Sequence, residues 1–228
     1  ALLKKTCRFL GLIHDIGKAT AAFQSRILCS LPNIKNHLTN KGLIIPELTE
    51  YSHSSQVTHA LAAEAILKQL AVRECICEIA GAHHGKPQDY ETVEYSLESH
   101  GYYYYACQKD VWIPLWQTFL ENAVEKSGLE SAKALPQLSV KAQVLLSGLL
   151  VMADWIASNT NYFPLIAVDN MGSEGLYPQR IKKGWKDAAL PDFWTAEKYF
   201  WDEEIFKEHF TFAPNPVHQA VLETAQKI

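Results

Sequence analysis

No Cys-x-x-Cys spacing occurs in the 228 residues, and the five cysteines (Cys7, Cys29, Cys75, Cys77, Cys107) are scattered and odd in number. A zinc knuckle, a thioredoxin-type redox pair and a disulfide scaffold are poor fits; reduced, mostly buried thiols in a cytoplasmic protein are expected. Long apolar runs are missing as well. The most apolar stretch, 144–157, is shorter than the roughly 20 residues of a membrane span and contains Asp154, so no membrane partner is expected. Lys4 and Lys5 lead into a short mixed segment, not the long apolar one of a signal peptide. Nor is there an excess of positive charge. Twenty-one Lys and Arg against 25 Asp and Glu give a net charge of -4, which argues against a wholesale electrostatic grip on nucleic acid and leaves room for a local basic patch. Strand-like alternation is scarce, and there is neither an internal repeat nor a low-complexity tract.

What is present is a globular balance, 48% hydrophobic and 20% charged, in a chain long enough for one substantial domain or a domain with a tail. Helical periodicity dominates. Residues 2–16 carry Leu2, Phe9, Leu12, Ile13 and Ile16 on an apolar face; Thr58 precedes a helix at 60–72 in which Ala62, Ile66 and Leu70 recur every four residues. A segment at 111–126 brings Trp112, Leu115, Trp116, Phe119 and Leu120 together. Ser139 caps a helix through 157, with Leu145, Leu149, Met152 and Ile156 at heptad-like steps. A last amphipathic stretch spans 196–209, and loops are signalled at 31–50, 85–95 and 168–191. The expected fold is all-α, one helical domain with a C-terminal appendage.

Nine histidines are many for this length, and their neighbours matter. His14 and Asp15 end an apolar helix in LIHDIGK; adjacent helical residues point about 100° apart, so the pair can flank one metal or let the carboxylate reach a second. Lys18 lies four residues after His14, on the same side if the helix persists past Gly17. His83 and His84 are bracketed by Gly81 and Gly85, which reads either as a solvated loop pair or as two imidazoles presented by a tight turn. His59 opens an Ala-rich helix, and His53 stands in a Ser-rich loop. Asp154 is the most informative residue. Between residues 144 and 157 the only other polar side chain is Ser147, so this helix is expected to be buried nearly all round, where a carboxylate needs a basic partner or a cation. Four His, two Asp and one Lys supply ligands for two metal ions, and the imidazole-rich mix suits Mn, Fe, Co, Ni or Zn better than Mg.

The segments LIHDIGKATAAFQ (12–24), HALAAEAIL (59–67), AHHGK (82–86) and ADWIASNTNYFP (153–164) together resemble the HD-domain metal phosphohydrolases. Within them the chain is most similar to the HD nuclease domain of the CRISPR-associated nuclease-helicase of type I systems. The family pattern has a further His in a helix ahead of the His-Asp pair, and residues 1–13 contain none. The segment FTFAPNPVHQAV (210–221) is similar to the entry into the helicase half, with Gln219 in the place of an adenine-recognising Gln. The resemblance thus implies an HD-domain helical bundle at 1–205, followed by a linker and the start of a helicase domain at 206–228.

It also implies a division of labour. Asp15 bridges two divalent ions, one held with His14 and Asp154, the other with His59, His83 and His84. Lys18 adds positive charge near a scissile phosphate, and Ser158, one turn past Asp154, orients that carboxylate. The implied substrate is single-stranded DNA, and the implied partners are a helicase domain and a guide-RNA surveillance complex. Arg180, Lys182, Lys183 and Lys186, with Trp185 for stacking, read either as a DNA-contacting loop or as a solvated charge run; Tyr102 to Tyr105 read either as a stacking wall or as a strand edge or core packing. Two other readings compete: a phosphohydrolase of nucleotides or cyclic nucleotides, and a catalytically silent docking module.

Overall fold

Eleven α-helices and three 3-10 turns, with no strand, make up the regular structure of the described residues, which in this computed structural model are 2–51, 57–166, 176–190, 206–207 and 210–225. The helices are α1 (Leu2–Ile13), α2 (Ala21–Leu28), α3 (Pro32–Asn40), α4 (His59–Gln69), α5 (Glu74–Gly81), α6 (Tyr90–Ser99), α7 (Gly101–Tyr105), α8 (Lys109–Ser127), α9 (Val140–Ser158), α10 (Leu176–Asp187) and α11 (Pro216–Ala225). The 3-10 turns are His14–Lys18, Leu48–Glu50 and Ala132–Ala134. The all-α helical expectation holds. The chain divides into two compact units, Ala1–Arg180 and Ile181–Ile228; the boundary expected at residue 205 falls within the second.

Helix α4 is the centre of the first unit. The Thr58 hydroxyl caps it by accepting the Leu61 N–H at 3.2 Å, and every residue from Ala60 to Leu67 is buried. Four alanines among them hold the helix slim, so α5, α6 and the His14–Lys18 turn approach closely. Helix α1, with Thr6, Phe9, Leu10 and Ile13 inward, packs on α8, with Trp112, Trp116 and Leu120 inward. Burying such aromatic and aliphatic side chains contributes roughly 1.5–3 kcal/mol each before entropy is counted.

Several expectations are corrected. Helix α1 ends at Ile13 and tightens into a 3-10 turn, and Leu2 and Leu12 are exposed, because the buried row is the 6-9-10-13 face. The loop expected at 31–50 contains α3, which starts on Pro32, and the Leu48–Glu50 turn. The expected loop at 85–95 stops at Tyr90, where Asp89 caps α6 by accepting the Thr92 N–H, and 168–191 contains α10. Tyr102 to Tyr105 lie in α7 and not on a strand edge; Tyr104 and Tyr105 are core packing, whereas Tyr102 is exposed. Cys75 and Cys77 are buried, but Cys29 and Cys107 are exposed. His53 lies outside the described residues, as does most of 196–209.

The largest correction concerns α9. Only Leu146 and Leu150 are buried on it; Val144, Leu145, Leu149, Met152 and Trp155 are each more than half exposed. The heptad-like row 145-149-152 faces outward, and the row through Gln143, Leu146, Leu150 and Asp154 faces in. Among the described residues α9 is the one helix long and apolar enough to cross a membrane, yet it packs on α1 and α5 and carries Asp154 into a cluster of histidines. In the second unit, the rings of Phe206, Phe210, Phe212 and His218 gather with centroids 4.6–6.1 Å apart.

Candidate metal centre

The His14–Lys18 turn lies directly on α4. A side chain at Gly17 would run into the His59 carbonyl, and its Cβ would stand 2.6 Å from the Ala63 amide nitrogen. Glycine here permits backbone to rest on backbone, which sets the distance between His14-Asp15 and His59. Three side chains outside the centre hold the turn. Trp116 Nε1 donates to the Ala19 carbonyl at 2.6 Å, Gln24 Nε2 donates to the Lys18 carbonyl at 2.9 Å, and Thr20 Oγ1 donates to the Gly17 carbonyl at 3.2 Å.

Two groups of ligand atoms result. His59, His83 and His84 converge from α4 and from the turn after α5, and His14, Asp15 and Asp154 converge from the 3-10 turn and α9; within each group the atoms lie within 4.8 Å of one another. His59 Nε2 is 2.8 Å from His84 Nε2 and 3.3 Å from His83 Nε2. His14 Nε2 is 3.6 Å from both Asp15 Oδ2 and Asp154 Oδ1. Asp15 joins the groups: its Oδ1 is 3.7 Å from His59 Nε2 and 3.8 Å from His83 Nε2, while its Oδ2 faces His14.

The tautomers can be assigned. His83 Nδ1 is 2.6 Å from the Ala80 carbonyl and His14 Nδ1 is 3.1 Å from the Gly11 carbonyl. A carbonyl only accepts, so each Nδ1 carries the proton and each Nε2 turns a lone pair inward. His14 Nε2 is buried with no hydrogen-bond partner, an orphan that a cation would satisfy. Imidazole nitrogens about 3 Å apart with lone pairs aimed at a common point fit the coordination of a divalent transition ion, whose N bonds are about 2.0–2.1 Å long. Burial pushes His59 down to about 4, with His83 and His84 adding to the fall against the opposing Asp15 charge; burial lowers His83 likewise. Burial works to raise Asp15, but the Lys18 hydrogen bond and the charges of His14, Lys18 and His83 outweigh it and hold the carboxyl below its usual value.

Lys18 departs from the expected geometry. In a 3-10 turn residues three apart eclipse, so Lys18 Nζ stands over Asp15 Oδ2 at 2.6 Å and not beside His14. Ser158 does not orient Asp154: its Oγ donates to the Trp155 carbonyl at 3.4 Å, back along its own helix. Of the basic candidates, Arg180 donates to the Phe163 carbonyl at 3.0 Å and Lys183 pairs with Asp187 at 2.6 Å, both from a helix where a loop was expected. Phe23, packed edge-on against His59 with centroids 5.4 Å apart, is a site residue that composition did not single out. Its signal in the sequence is its place in the segment LIHDIGKATAAFQ, three residues after the capping Thr20.

Residues 1–163 match the family model described as Cas3, HD domain. The chain belongs to the Cas3 HD domain family. It is 32% identical, over 98% of its length, to the CRISPR-associated nuclease/helicase Cas3 of Streptococcus thermophilus, and covers 25% of that relative. A crystal structure of a CRISPR-associated protein shares its fold with a TM-score of 0.64 at 21% identity, covering 98% of this chain and 25% of the other. The chain therefore spans about a quarter of the length of the relatives it matches. The family match covers α1 to α9, and so every ligand candidate of the Cas3-type centre.

Proposed function

We propose that the chain is a metal-dependent nuclease, the phosphodiester-hydrolysing part of a nuclease-helicase that cuts single-stranded DNA in type I CRISPR interference in the cytoplasm. One observation carries this reading: the two oxygens of Asp15 face two separate ligand groups, in a chain 32% identical to a CRISPR-associated nuclease/helicase. On this reading His14, Asp15 and Asp154 hold one divalent ion, and His59, His83 and His84 hold a second with Asp15. Mn, Fe, Co, Ni or Zn suit this donor set better than Mg. When bound, such ions supply Lewis acidity and a water acidic enough to ionise near neutral pH.

The chain's own residues do the rest. The Ala80 and Gly11 carbonyls fix the rings of His83 and His14, so no lone pair must be reoriented for binding. His59, lowered to about 4, is neutral at cellular pH and ligates without losing a proton. Lys18, 43% exposed at the mouth, neutralises Asp15 at rest and offers its ammonium to a phosphate oxygen when substrate arrives. Phe23 shields one side of His59 from water. A helicase domain and a guide-RNA surveillance complex are the partners proposed.

The test is cleavage of circular single-stranded DNA with Mn, Co or Ni by the 228-residue chain and by Asp15→Ala. Metal-dependent cutting that falls at least a hundredfold in the variant is the expected result. Nucleotide hydrolysis without DNA cutting would move the reading to a phosphohydrolase, and neither activity to a docking module.

A further inference from the structure

Bordering the His83-His84 turn through Ala82 and Gly85 lies a second feature that the nuclease reading does not use. A groove of about 610 Å³ runs between α4, α5 and the start of α6 on one side and α9 on the other. Its walls are largely apolar, with Ile79, Ala82, Val140, Val144 and Val151 among them. Gly148 leaves open space on the α9 side, where an added Cβ would meet nothing within 4 Å. A volume of this size and lining suits an organic group of small-molecule dimensions.

Of the two carboxyls that line the groove, Glu78 is exposed and Glu64 is buried. It is 5% exposed, lines the groove, and among the described residues accepts no hydrogen bond and makes no ion pair. The fold makes room for it: a side chain at Gly81 would run into the Glu64 carboxyl oxygen, so glycine at 81 is what lets the carboxyl lie there. Lys68 lines the same groove and lends Glu64 some favourable charge, but it makes its ion pairs with other carboxylates. Lys68 Nζ is 3.6 Å from both Glu74 and Glu94 and sits 4.6 Å over the Tyr90 ring. A largely buried carboxyl with no donor against it, reached by solvent only through the groove it lines, is costly to ionise, and an incoming cation would offset that cost.

We infer that the groove is a binding site for a cationic nitrogen, ammonium or guanidinium, on an apolar body, with Glu64 as the counter-ion. The apolar body fills the space between Ile79, Val144 and Val151, and the nitrogen reaches Glu64. Once the carboxyl is ionised, an anion is repelled and a neutral donor leaves its charge uncompensated. The chemistry is shared by a free aryl-alkyl amine and by a basic side chain on an apolar peptide.

Calorimetry at pH 8 on the 228-residue chain tests the assignment. The probes are 4-phenylbutylamine against 4-phenylbutanol, and an acetylated, amidated Leu-Ala-Arg-Ala-Leu peptide against its citrulline counterpart. At least one cation is expected to bind tenfold or more tightly than its neutral twin. That preference should shrink below twofold in Glu64→Gln, and Gly148→Leu, which fills the groove without touching Glu64, should weaken binding at least tenfold. Preference for the amine alone supports the site with a free amine as its ligand; preference for the peptide supports it with a polypeptide as the source. No cation preference in either pair, or a preference that survives Glu64→Gln, overturns the inference. DNA cleavage by Glu64→Gln is expected to stay within twofold of the parent chain, so failure here and failure of the nuclease reading are separable.

Discussion

Glu64 is a carboxyl that the fold tolerates and does not exploit for stability. Burial raises it to about 7, and the nearby Glu78 and Glu74 add to the rise while Lys68 opposes it. The folded chain thus holds this proton more tightly than the unfolded chain does. As pH rises from the ordinary Glu value of about 4.5 to 7, the unfolded state ionises first and stability falls, by up to about 3 kcal/mol once pH exceeds 7. Glu64→Gln removes that penalty and should raise the melting temperature by several degrees at pH 8 and by little at pH 4.5, read by thermal denaturation. His14 and His83 present the opposite logic at the same scale. Their ring protons are spent on backbone carbonyls, so His83→Asn, which loses the inward nitrogen, should weaken transition-metal binding at least tenfold.

At the scale of elements, the contact between the His14–Lys18 turn and α4 is backbone on backbone. Gly17→Ala places a methyl group into the His59 carbonyl and beside the Ala63 amide, so one of the two elements must retreat. A loss of about 3 kcal/mol or more is expected, since rigid backbone cannot yield as a flexible side chain does. The same variant should lose metal affinity, which isothermal titration would read separately from the melting temperature. Elements also show where the sequence was legible. Periodic helices such as α4 and α8 are readable from their apolar rows, although Phe119, grouped with Trp112, Trp116 and Leu120, turns out to be exposed, and the histidine and aspartate candidates stand out by their segments. Helices α2 and α5 are not readable, because eight residues give barely two turns of periodicity. Helix α9 misled for a different reason. Leu145, Leu149 and Met152 are apolar at good spacing, but composition cannot say which row of an almost wholly apolar helix faces in, and the answer came from Asp154 and its reach to His14. Lys18 lies beside His14 only if the helix runs on past Gly17, and the change to a 3-10 turn at His14 sets it over Asp15 instead.

For the molecule as a whole, two pH windows oppose each other. His59 titrates at about 4 when folded against 6.5 when unfolded, so its contribution is complete above pH 6.5 and drains away as pH falls towards 4, amounting to about 3 kcal/mol; His83 acts in the same direction. Glu64 drains stability over an overlapping range as pH climbs. The metal-free chain should therefore be most stable at mildly acidic pH, and Glu64→Gln should move that optimum upward, measured as melting temperature against pH. Metal that binds only the folded chain adds stability with concentration, and because protons compete for the imidazoles the gain from Mn or Co should be larger at pH 8 than at pH 5.

The absence of a side chain at Gly17 also makes the molecule separable in a mechanical sense. The gap between the two halves of the centre is gauged by main chain resting on main chain, like two machined faces brought together without a shim. Side chains elsewhere in the bundle, such as Phe9 or Trp112, are not the atoms that an added Cβ at Gly17 meets. Stability and metal geometry can thus drift independently in this chain, and a breeder of hardier variants could work on the interior without retuning the chemistry.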